Sequence, residues 1–216
     1  VKRGFTLIEL LVVISIIMIL TTLALVNLQE ASVRAKVTKV RGDLRTLSLS
    51  LGAYQADFGS FPPARSSCSP EWTSKYDYCR TPMELTSPTV YLKPRLIDPF
   101  NVASDQPPCT YKYLAPGPGW ANGTRGTIRM WVPQFFPNEP IPADPNERVP
   151  MVGYKDQKTC PVPYALWSVG PAGPEKEPSW VVLEYYGVPV HRGRWYNPTN
   201  GIRSDGIIAR LSGGQG

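Results

Sequence analysis

The chain has 216 residues, 23 Lys and Arg against 17 Asp and Glu, and a formal net charge of +6, to which Lys2 and Arg3 contribute two. The other basic residues are scattered rather than clustered, so composition gives no nucleic-acid footprint and no nucleic-acid partner is expected. One His, no G-x-S-x-G and no Gly-rich phosphate loop leave catalysis without a foothold. His191 beside Arg192 reads as a surface residue, and Asp144 and Glu147 fall in a Pro-rich loop.

From the N-terminus, Phe5 to Val26 is a run of 22 residues whose only charge is Glu9. As a helix it is roughly 33 Å long, enough to cross a bilayer core of about 30 Å. A carboxylate near the middle of such a helix is disfavoured by a few kcal/mol. Glu9 lies near one end, where the cost is smaller. A secretory signal peptide would close on small residues before a cut, whereas here the apolar run continues into a helical pattern, so the segment is expected to stay attached. Lys2 and Arg3 place the leader in the cytoplasm and everything after Val26 outside.

Residues 27–58 carry one clean period. Val33, Val37, Val40, Leu44, Leu47, Leu51, Tyr54 and Phe58 recur at spacings of 4 and 3, which puts all eight on one helical face. Arg34, Lys36, Lys39, Arg41, Asp43, Arg45 and Asp57 occupy the other faces. The spacing predicts one helix from about Thr6 to Asp57; a coiled-coil seam would show the same spacing, and packing of the second half on a sheet is favoured because a strand-rich region follows. All 24 Pro residues fall at or after Pro62, and because Pro breaks helices the switch at Phe58-Gly59-Ser60-Phe61-Pro62-Pro63 marks the entry to a loop-rich, strand-bearing region. Strands are predicted at Cys109–Gly117 (with a turn), Thr127–Val132, Pro163–Gly170, Trp180–Tyr186 and Gly206–Leu211, with Pro137–Pro150 a loop. The six Trp and eleven Tyr are read as core and subunit-interface residues ahead of a carbohydrate or protein groove.

Cys68, Cys79, Cys109 and Cys160 all lie beyond the apolar run. An even number outside the cytoplasm predicts disulfides. Cys68–Cys79 is the nearest pair and would leave Cys109–Cys160, but all three pairings remain open. Zinc is disfavoured because no two Cys are within the usual two to four residues and His191 is the only His.

Gly4-Phe5-Thr6-Leu7-Ile8-Glu9-Leu10-Leu11-Val12-Val13-Ile14 after a short basic leader resembles the N-terminus of type IV prepilins and type II secretion pseudopilins. Leu51–Pro62 is similar to the end of the family's long helix, and Leu96-Ile97-Asp98-Pro99-Phe100 to its Asp-Pro-aromatic approach to the sheet. The resemblance implies an α+β, pilin-like fold: a long N-terminal helix packed on a C-terminal antiparallel sheet with long Pro-rich loops. It divides the chain into a leader (1–4), a membrane and fibre-core helix (5–26), an amphipathic half (27–61) and an extracytoplasmic domain (62–216). It further implies cleavage by a prepilin peptidase between Gly4 and Phe5, and N-methylation of Phe5. The implied function is a structural fibre subunit, probed against the alternative of a membrane-tethered binding or enzymatic domain. Implied partners are further copies, minor pseudopilins, the inner-membrane assembly platform and lipid, at the bacterial inner membrane.

In this reading the Phe5 amine is a positive charge at membrane depth, one helical turn from Glu9. At about 4 Å and an effective dielectric near 20 the attraction is on the order of 4 kcal/mol before desolvation, so Glu9 is assigned to register and assembly. Major pseudopilins also hold calcium in the loop after the strand matched by Tyr164–Val169, which implies Val169, Glu175 and Glu177 as ligands. Ala172 stands where the family commonly has Asp, and Pro171 and Pro174 stiffen the loop. Many pseudopilins carry a Gly and a Pro where this chain has Met18 and Val26.

Overall fold

A computed structural model describes residues 6–66, 80–93, 96–101, 109–121, 124–138, 150–173, 195–197, 199, 204 and 206–212. One helix, α1 (Leu7–Phe58), runs for 52 residues. It begins at Thr6, whose hydroxyl accepts from the Glu9 N–H, and ends at Gly59, left-handed at φ 71°, whose N–H donates to the Gln55 carbonyl at 2.8 Å. Ser15, Thr21 and Thr22, the small polar residues of its apolar half, each donate to the carbonyl four residues back at 2.8 Å. Their hydroxyls therefore need no water.

The predicted stripe is the buried face. Val37, Val40, Leu44, Leu47 and Leu51 are buried, and Val33 and Tyr54 are packed at its ends. Truncating one of the buried Leu residues removes packing worth about 2–5 kcal/mol. Phe58 departs from the expectation: it is 55 % exposed, stacked at 4.4 Å on Tyr54. As the last residue of α1, directly before the turn at Gly59, it lines a cleft with Pro116, Pro118 and Lys158 rather than the sheet.

Eight described strands follow in chain order: β1 (Arg65–Ser66), β2 (Lys112–Leu114), β3 (Gly117–Ala121), β4 (Thr124–Ile128), β5 (Met130–Pro133), β6 (Met151–Tyr154), β7 (Ala165–Ser168) and β8 (Ile208–Leu211). β2, β7 and β8 form an antiparallel sheet in the order β2-β7-β8, and α1 packs on β7 and β8. β7 is central and buried along its whole length, with Trp167 fully enclosed. β1 pairs parallel to β3, which pairs antiparallel to β4, while β5 and β6 form a separate ribbon. Polar stitches fix the helix to this layer: the Tyr111 hydroxyl donates to Asp43 at 2.7 Å, Ser48 and Tyr164 share a 2.7 Å hydroxyl bond, and Ser50 donates to the Tyr91 carbonyl at 3.0 Å.

The fold is α+β, a long N-terminal helix over antiparallel strands. Details differ from the sequence reading. The strand expected over Thr127–Val132 is divided at Arg129 between β4 and β5, although Ile128, Met130 and Val132 are buried in the alternation foreseen. The strand and turn expected over Cys109–Gly117 are found as β2, which begins only at Lys112, and a break at Ala115-Pro116, where Pro116 supplies no N–H to a ladder. β6 was not foreseen. Trp180–Tyr186 lies outside the described residues.

Candidate functional site

The N-terminal site is built from helix-start chemistry. Thr6 and Glu9 form a reciprocal capping box: the Glu9 carboxylate accepts from the Thr6 N–H at 2.8 Å and from the Thr6 hydroxyl at 2.7 Å, while the Glu9 N–H donates to Thr6 Oγ1 at 3.3 Å. A Thr-x-x-Glu before an apolar run is a sequence signature of this motif, so Thr6 was a legible partner that the sequence reading left out. The box satisfies the Thr6 and Glu9 backbone donors and holds the Glu9 carboxylate at the head of α1. Gly4 and Phe5 lie outside the described residues.

Below this head the helix is bare. Large apolar residues from Leu7 to Leu25 are 44–80 % exposed, and α1 is long and apolar enough to cross a membrane. An uninterrupted apolar cylinder in a single chain needs lipid or other apolar helices around it.

At the far end of β7, Asp98 is fully buried and gathers three donors. Its Oδ1 accepts from the Ser168 hydroxyl at 2.8 Å and the Phe100 N–H at 3.0 Å, and its Oδ2 accepts from the Val169 N–H at 3.2 Å. Burial pushes its carboxyl up to about 6, opposed by these hydrogen bonds and by the charge of nearby Lys112. Gly170, left-handed at φ 80°, closes β7, and a Cβ there would overlap the Gly206 carbonyl. Val169, the expected calcium ligand, is buried and its N–H donates to Asp98; the oxygen it could offer a cation is its backbone carbonyl. Glu175 and Glu177 lie outside the described residues. Among the described residues no group of three acidic, His or Cys side chains could hold a metal, and the one carboxylate at this end of β7 has both oxygens engaged.

Cys68 and Cys79 lie outside the described residues. Cys160 is not joined to Cys109. Its thiol donates to the Val162 carbonyl at 3.0 Å, and burial pushes it up to about 11. The register of β2 against β7 explains the separation: Leu114 faces Ala165 and Lys112 faces Trp167, so Cys109 precedes β2 at one end of β7 and Cys160 precedes β7 at the other.

A capped helix with an acidic residue in its first turn and an exposed apolar half, packed by its second half on an antiparallel sheet, defines a pilin-like subunit. Residues 1–25 match the family model "Prokaryotic N-terminal methylation motif". Over 116 residues, 54 % of this chain and 75 % of the relative, the sequence is 32 % identical to the type II secretion system core protein G of Pseudomonas aeruginosa. The chain belongs to the type II secretion pseudopilin family. No solved structure matches it.

Proposed function

We propose that this subunit is cut between Gly4 and Phe5 and assembled through α1 into a pseudopilus of the type II secretion pathway. Before assembly it is held in the bacterial inner membrane, single-pass, with the globular part outside. The observation that carries the reading is the apolar half of α1, exposed throughout and headed by the Thr6–Glu9 box. Lipid covers that surface in the stored subunit, and helices of neighbouring copies cover it in the fibre. Glu9, positioned at the helix head, supplies the negative partner for a Phe5 amine of its own or of an adjacent chain. Prepilin peptidase, the assembly platform and minor pseudopilins are the partners this requires. The membrane-tethered alternative uses the same anchor but leaves α1 in lipid permanently.

A photo-reactive residue at Ile16 separates the two. With the assembly machinery present, adducts to Leu7–Leu25 of a second copy are expected; without it, adducts to lipid. Lipid adducts alone in both cases would overturn the fibre reading.

A further inference from the structure

Between the amphipathic half of α1 and β8 lies a niche of about 130 Å³ lined by the exposed Arg41 and the half-buried Arg210, and walled by Leu44, Trp195, Tyr196 and Ile207. A water's share of liquid volume is about 30 Å³, so the niche takes a group of a few heavy atoms. It is too small for a drug-sized ligand, whose pockets start at about 300 Å³.

Its walls are fixed. Trp195 bridges Ile207 in parallel, and the Tyr196 N–H donates to the Ile207 carbonyl at 2.8 Å. Gly206 permits the approach, since a Cβ there would lie 2.6 Å from the Tyr196 nitrogen. The segment carrying the two aromatic residues is therefore seated directly on the start of β8.

Among the described residues no carboxylate lines the niche. Neither Arg41 nor Arg210 is in an ion pair among the described residues, and Arg210 Nε is buried with no hydrogen-bond partner. A guanidinium has only donors to offer, and its planar fork matches two oxygens. A buried donor left unmade is costly, and two cations facing one small space repel. Both features are relieved by one ligand, a single oxyanion.

We propose that Arg41 and Arg210 form a carboxylate-binding niche. The Arg210 fork takes the carboxylate and Arg41 closes it from the helix side. The apolar walls at Leu44 and Ile207 accept a short hydrocarbon stem behind the charged head. The carboxylate comes either from a small acid in solution or from the tip of an acidic side chain of a second copy.

The test titrates propionate into the full chain in neutral detergent, against chloride at equal ionic strength, and follows Trp fluorescence. A saturable response to propionate alone is expected, lost in Trp195→Phe. Arg41→Gln and Arg210→Gln should each move its midpoint up about tenfold or more, the loss of one charge-assisted contact. Arg210→Lys, which keeps charge and loses the fork, should fall between. A response equal to that of chloride, or one that survives in both Arg→Gln variants, overturns the proposal. Repeating the titration on assembled fibres distinguishes the source. Fibres that no longer respond have the niche filled by a neighbour's side chain; fibres that respond like dispersed subunits take the free acid. Neither arm on dispersed subunits requires a fibre to form.

Discussion

Asp98→Asn probes how the loop before β2 is held to β7. Asp98 is fully buried, its carboxyl raised from 3.8 to about 6 by that burial. An unfolded chain returns it to the lower value. Between the two, the folded state holds a proton that the unfolded state has released, so stability falls as pH rises. The contribution is fully present below about pH 4 and gone above about pH 6. At about 1.36 kcal/mol per pH unit the change is roughly 3 kcal/mol, a large share of a typical domain's stability. Asn cannot ionise, and its amide group placed at Oδ2 would face the Val169 N–H donor-to-donor, a pH-independent cost of about 1–3 kcal/mol. Urea denaturation of wild type and Asp98→Asn, in steps from pH 4 to 7 in neutral detergent, isolates the term by difference. The wild type should lose roughly 3 kcal/mol relative to the variant across that range. Parallel pH profiles would refute the assignment of a buried, protonatable carboxyl to this position.

Processing and thiol chemistry give two further tests. Gly4→Val should leave the leader attached, seen as a higher intact mass of membrane-extracted protein, whereas wild type in cells with active prepilin peptidase should begin at Phe5. Retention of Val1–Gly4 by the wild type in those cells would contradict the processing step. Cys160, buried and raised to about 11, should resist a polar maleimide at pH 8 in native protein and react once denatured. Rapid native labelling at Cys160 would show that the turn before β7 is open.

The sequence was most legible where structure is local. The 4-and-3 spacing from Val33 to Tyr54 fixes a helical face whatever lies opposite, and it is the face that meets β7 and β8. Phe58 fits the same spacing, but exposure there depends on where the chain turns at Gly59, which spacing does not encode. β6 is short, with Gly153 in its middle, and its strand character comes from pairing with β5 across a long loop. Asp98 was visible only as part of an Asp-Pro-aromatic string; its role comes from Ser168, seventy residues away. Arg41 read as a solvated helix residue and is exposed; that it lines a niche with Arg210, Trp195 and Tyr196 follows only from the tertiary fold. Cysteine pairing was open for the same reason, since the register of β2 on β7 decides which sulfurs are near one another.

If Glu9 serves assembly rather than anchoring, Glu9→Ala should still insert in the membrane but fail to reach the fibre. The substitution makes the apolar helix more apolar, so insertion should be normal or better. Docking would then bury an ammonium at Phe5 without its partner, a loss of several kcal/mol and about a thousandfold or more in assembly equilibrium. Glu9→Gln keeps the shape without the charge and should fail almost as badly. With the assembly machinery co-expressed, both variants should be found in the membrane fraction and almost none in sheared fibres, against a wild type present in both. Equal fibre yield from Glu9→Ala and wild type would contradict it.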